Sequence, residues 1–249
     1  MDHDTEMGRG NEAFPPTRHS IVVAAASGDP VTKRQAFEAL VSAYWRPVYK
    51  YVRLKWQAAN EDAKDLTQAF LARAMEKDFF ARYDAAKSRF RTYLRVCLDG
   101  FLSNERKAAA RLKRGGDRFG LDFAAAEKEL STQLSAGLSE PEEFFDREWL
   151  RTLLGLAVED LSRECEGDGK AVHFRVFERY DLEGAAPVER PRYEDLAAEF
   201  GLSVQQVTNY LAFARRRFRA LMLDRLRAAT GSEAEFRDEA RRILGSQVS

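Results

Sequence analysis

Apolar residues recur at helical spacing along most of the chain, and the breaks between the runs fall at capping or turn residues. Asp29 ahead of Pro30 supplies a side-chain acceptor at a helix start and a proline where the missing N–H costs nothing. Phe37, Leu40, Val41 and Tyr44 follow on one face, and Pro47 then restarts or kinks the chain into a nearly collinear helix with Val48, Tyr51, Val52 and Lys55. Asn60 can cap the next helix, whose Ala63, Leu66, Phe70 and Ala74 face inward while Glu61, Asp65 and Gln68 share a different face. A helix from near Ser88 turns Phe90, Leu94, Cys97, Leu98 and Phe101 inward and Arg91, Arg95 and Asp99 outward, and Gly115 and Gly116 stop it. Ser139 with Glu142 has capping-box spacing, ahead of a helix in which Phe145, Trp149, Leu153, Leu156 and Leu161 supply a second core. Residues 172–182 and 232–244 read as further helices, and 183–192 as a turn-rich loop.

At 249 residues, the chain can bury one large core or two small ones. The pattern predicts an all-α fold of two small helical domains, residues 20–116 and 140–230, joined by a linker at 117–139. A flexible lead-in, 1–19, precedes them, and a C-terminal helix and tail, 231–249, follows.

Residues 193–219 carry the strongest local signal. A helix-turn-helix needs a small residue at the crossing, a turn residue that tolerates positive φ, and apolar side chains that lock the angle. Ala197, Gly201 and the set Leu196, Phe200, Leu202, Val207 and Tyr210 meet those needs, with Ser203 as cap. The second helix would expose Gln205, Gln206, Thr208 and Asn209 at its start, where amides and hydroxyls can reach base edges in a major groove. Arg215, Arg216, Arg217 and Arg219 follow as candidates for neutralising phosphates. An ordinary helical hairpin with a solvated basic face is the plainer alternative.

Charge changes the picture through its distribution. Lys+Arg and Asp+Glu both number 40, yet residues 91–118 hold 8 cations against 3 anions, including Arg106, Lys107, Arg111, Lys113 and Arg114. Residues 137–169 reverse the sign, with 10 acidic residues against 3 arginines. A solvated acidic face is the expected form of that segment, with contact to a regulator or shielding of the basic stripe as alternatives.

In their order, Asp62 to Gln68 with Phe70, then Phe90-Arg91-Thr92-Tyr93-Leu94, then the late helix-turn-helix, resemble the bacterial RNA polymerase sigma factors of the extracytoplasmic-function branch. Tyr44-Trp45-Arg46-Pro47, Asp65-Leu66-Thr67-Gln68 and Asn104-Glu105-Arg106 are similar to a subgroup found in planctomycetes and related bacteria. The resemblance spans residues 20–227 and implies a region 2-like bundle followed by a region 4-like helix-turn-helix. It implies that Asp62, Asp65 and Gln68 hold core RNA polymerase. It also implies that the helix carrying Phe90, Arg91, Tyr93, Arg95, Arg106, Lys107 and Arg111 opens and reads a minus-10 element. The helix from Ser203 would then dock on the upstream duplex. Aromatic rings that stack on unpaired bases and cations along the displaced strand suit the second role, although Phe90 and Tyr93 fit a core equally well. Gly100, Thr208, Tyr210 and Phe213 depart from the family pattern, which bears on promoter sequence.

Catalytic chemistry lacks its parts. His3, His19 and His173 are scattered, no metal, nucleophile or dinucleotide motif is present, and Gly167-Asp168-Gly169-Lys170 lacks phosphate-loop spacing. The chain is expected to act by binding, without cofactor or metal, and not as an enzyme. Cys97 and Cys165 read as buried thiols of a reducing cytosol. The longest apolar run, 21–26, is far short of the roughly 20 residues a membrane span needs, and acidic Asp2, Asp4 and Glu6 do not resemble a secretory start. A cytoplasmic protein without a membrane partner is expected. A free-standing helix-turn-helix regulator, and a sigma-like adaptor without promoter readout, are the alternative functions. A regulator that binds the sigma-like chain is a possible further partner.

Overall fold

Asp29 caps the first long helix as its sequence dictates, its carboxylate accepting from the backbone N–H groups of Val31 and Thr32. A computed structural model describes residues 21–26, 29–76, 79–108, 121–135, 140–183 and 190–245. Every regular element among them is helical: α1 (Ile21–Ala26), α2 (Pro30–Lys55), α3 (Asn60–Glu76), α4 (Phe90–Ala108), α5 (Phe123–Ser135), α6 (Pro141–Gly167), α7 (Ala171–Phe177), α8 (Tyr193–Phe200), α9 (Val204–Ala229) and α10 (Glu233–Leu244). A π-helical turn, Glu178–Leu182, continues α7. The expected lead-in, 1–19, lies outside the described residues, as do Ser139 of the expected capping box and Arg111, Lys113, Arg114, Gly115 and Gly116.

Several local expectations change. Pro47 sits inside one continuous α2 instead of starting a second helix. Tyr44, Trp45, Val48 and Tyr49 around it are all buried, so packing on every side offsets the one backbone hydrogen bond that proline removes. Asn60 is not a cap; its side-chain oxygen accepts from the Tyr49 hydroxyl at 2.9 Å. The linker contains α5. Phe123, Ala126 and Leu130 lie at i, i+3 and i+7 and are buried, with the Phe123 ring 5.5 Å from Trp45 and 5.0 Å from Tyr49.

Two separate cores were expected, whereas most of the buried apolar side chains, from Leu40 to Ala240, form one cluster. The reason is α2, which packs chiefly against α6 and also against α3, α5 and α9. Tyr44 stacks on Trp149 at 6.4 Å and donates its hydroxyl to the Ala229 carbonyl at 2.7 Å, and Tyr51 meets Phe145 edge-on at 5.5 Å. The acidic segment divides: Glu140, Glu143, Glu159, Glu166 and Asp168 are exposed, as a solvated face requires, and the other five carboxylates are internal partners. Glu142 pairs with Lys55 and Arg95, Asp146 with Arg91, Glu148 with buried Lys50, Asp160 with Arg225 and Glu164 with Arg217. None of the described helices is long and apolar enough to cross a membrane.

Candidate nucleic-acid interface

A short helix, a glycine turn and the start of the long α9 build the first part of the interface. α8 ends at Gly201, whose φ of 66° is the left-handed conformation that a side chain disfavours. Ser203 then caps α9: its hydroxyl accepts from the Gln206 N–H at 3.2 Å, and its own N–H donates to the Gln206 side chain at 2.8 Å. Leu196, Ala197, Val207 and Leu211 are buried between the helices, with Phe200, Leu202 and Tyr210 half-buried against them. Ser203, Gln205, Gln206, Thr208 and Asn209 are all exposed. Gln205 donates to Asn209 along the helix at 3.1 Å and Thr208 to the Val204 carbonyl at 3.0 Å, so neither side chain is tied to another element. Gln206 is partly committed to the cap.

The four arginines divide. Arg216 is exposed and makes no ion pair among the described residues; it lies 11 residues beyond Gln205, about three turns along the same face. Arg215 is held by Asp181 through two hydrogen bonds of 2.8 and 2.9 Å, and Arg217 by Glu164 through two of 2.5 and 2.6 Å. Those carboxylates hold both guanidinium groups above the usual arginine pKa. Arg219 is half-buried and donates to the Leu244 carbonyl.

The strand-reading set on α4 divides more sharply. Phe90 is fully buried among Tyr44, Phe79, Phe80 and Tyr83. Arg91 is 3% exposed, pairs with Glu239 at 2.7 Å and Asp146 at 3.0 Å, and lies 4.8 Å above the Trp149 ring. Burial alone would lower its pKa, and the two carboxylates carry it upward instead. Withdrawing Phe90 would forfeit about 2–3 kcal/mol, and stripping Arg91 of its partners about 3–5 kcal/mol. At tenfold per 1.4 kcal/mol, an opened α4 would be populated in fewer than roughly one molecule in a thousand. Phe90 and Arg91 therefore belong to the core, against the expectation that they face a DNA strand. Arg95 is half-buried and pairs with Glu142 at 2.9 Å. Arg106 is exposed over Trp56, to whose carbonyl it donates at 2.9 Å, and Lys107 is exposed.

Tyr93 has a different setting from Phe90. It lines a cavity of about 350 Å³ between α3, α4 and the turn before α4, walled by Phe70, Phe79 and Phe101 and edged by Arg73, Arg82 and Asn104. The Tyr93 hydroxyl donates to the Phe79 carbonyl at 2.6 Å and fixes the ring, and burial pushes its pKa up. A Cβ at Gly100 would meet nothing within 4 Å, which leaves this wall open. Aromatic walls with guanidinium groups at the rim suit a flat, unpaired base and its phosphate. Arg73, Arg82 and Phe79 were not singled out from sequence; the available signal was the aromatic pair Phe79-Phe80 shortly before Arg82.

On α3, Asp62 and Asp65 are exposed and make no ion pair among the described residues, while Lys64 pairs with Glu61. By helical spacing Gln68 shares a side of α3 with Glu61 and Asp65, yet it is only 7% exposed, so it is closed to a partner. Among the described residues no three His, Cys, Asp or Glu side chains are grouped to hold a metal ion. The chain matches no protein-family model, no curated protein and no solved structure.

Proposed function

We propose that the chain is a promoter-specificity subunit that binds core RNA polymerase and directs it to DNA, a sigma-like function without covalent chemistry. The observation that carries this reading is the amide-bearing start of α9, exposed beyond a glycine turn and locked by its cap. In this reading Gln205, Thr208 and Asn209 read base edges, Arg216 meets phosphate, and the cavity beside Tyr93 receives an unpaired base. Asp62 and Asp65 offer the polymerase two unpaired carboxylates on one exposed helix face. Replacing both by alanine should reduce capture of core polymerase while leaving helix content unchanged; undiminished capture would remove the assignment.

A second reading, a free-standing helix-turn-helix regulator, draws on the burial of Phe90, Arg91 and Gln68, which leaves the α9 surface as the most accessible part of the expected interface. Such a protein would footprint an operator as a dimer without polymerase.

A further inference from the structure

Successive residues on a helix are about 100° apart, so Arg215 and Arg217 flank Arg216 on its two sides. Each flank is closed by a different element: Asp181 in the π-helical turn holds Arg215, and Glu164 on α6 holds Arg217. Both pairs use Nε and one terminal nitrogen, the same forked edge with which arginine grips phosphate. The side chains are not sealed. Arg215 is 43% and Arg217 41% exposed, so solvent and a phosphate can reach both guanidinium groups and compete with either carboxylate. The displaced carboxylate would then sit beside the phosphate and repel it. The side chains that read bases, Gln205, Thr208 and Asn209, have no such competitor.

Resting on the DNA-binding reading above, we propose that Asp181 and Glu164 limit sequence-independent retention of DNA on the α9 surface. They withhold Arg215 and Arg217 from sequence-independent phosphate contact and leave base contacts to decide where the chain stays. Phosphate contacts raise affinity for a site and for random duplex together, so they lengthen residence everywhere without adding discrimination. Carboxylates that weaken the phosphate term thus raise the share of binding that depends on sequence.

The test titrates the full chain, and the variants Asp181→Asn, Glu164→Gln and their combination, onto a random-sequence DNA duplex over a range of salt. Releasing two arginines should make the double variant bind more tightly at low salt and steepen its salt slope by about two units. It should then lose roughly tenfold more affinity than the wild type between about 50 and 200 mM salt. Each single variant should show about half of that change in slope, and a folding defect would instead lower affinity. Equal slopes and affinities in wild type and variants would overturn this inference while leaving DNA binding intact. Absence of binding by every form at low salt would overturn both.

Discussion

Arg91 on α4 and Glu239 on α10 lie 2.7 Å apart with both side chains closed off from solvent, although 148 positions separate them in sequence. Arg89 and Arg242 also reach Glu239, and Arg91 with Arg242 holds its carboxyl below the usual range despite burial. Beside it Glu235 accepts from the N–H groups of Phe90 and Gly231, so α10 supplies an acceptor for the start of α4. The last helix is therefore part of the fold of the first half. Glu239→Ala should destabilise the fold by up to about 3 kcal/mol, because it leaves the buried Arg91 with Asp146 as its remaining carboxylate. Urea unfolding would read this as a clear fall in midpoint, and an unchanged midpoint would contradict it.

The helix-turn-helix depends on two small local devices. Gly201→Ala places a side chain at positive φ and should cost about 1 kcal/mol, and Ser203→Ala removes a cap for a similar loss. Thermal unfolding of each full-length variant checks the pair. Neutral effects at both positions would mean that the turn is built differently.

His173 stacks on Tyr210 of α9 with ring centroids 3.6 Å apart, and its Nδ1 is buried with no hydrogen-bond partner among the described residues. Burial lowers its pKa below 6.5, with Lys170 adding to the effect. The folded state then binds fewer protons than the unfolded chain, so His173's contribution to stability falls as pH drops below about 6.5 and is intact above it. His173→Phe should flatten this part of the pH–stability curve. A curve of unchanged slope would show that the histidine takes no part.

The cavity beside Tyr93 makes a separate demand. Arg73→Ala and Arg82→Ala should each weaken binding of a single-stranded oligonucleotide and lower its salt slope by about 0.7. Filter binding across salt concentrations would register the change. Identical slopes would remove the cavity from the interface.

Some helix positions were legible because the run carried its own cap and apolar stripe, as at Asp29 and Ser203. What was not legible was which stripe meets which. Arg91 reads as an outward cation from periodicity alone, and only the acidic residues of α6 and α10, far along the chain, make its burial favourable. Gln68 is closed off for a related reason: it lies beside the buried Thr67 and Leu71, on the flank where α3 meets the core. The exposure of Gln205 and Asn209 was readable, because a local motif fixes it without help from distant segments. Glu164 and Asp181, whose importance lies in pairing across elements, had no local signature.

Run-off transcription with purified core RNA polymerase and a promoter pool tests the central claim most directly. A discrete set of transcripts should appear only when the chain is present, and should disappear with Gln205→Ala combined with Asn209→Ala, or with the Asp62 and Asp65 replacements. Transcripts that do not depend on the chain, or a dimeric footprint on duplex DNA in the absence of polymerase, would contradict it.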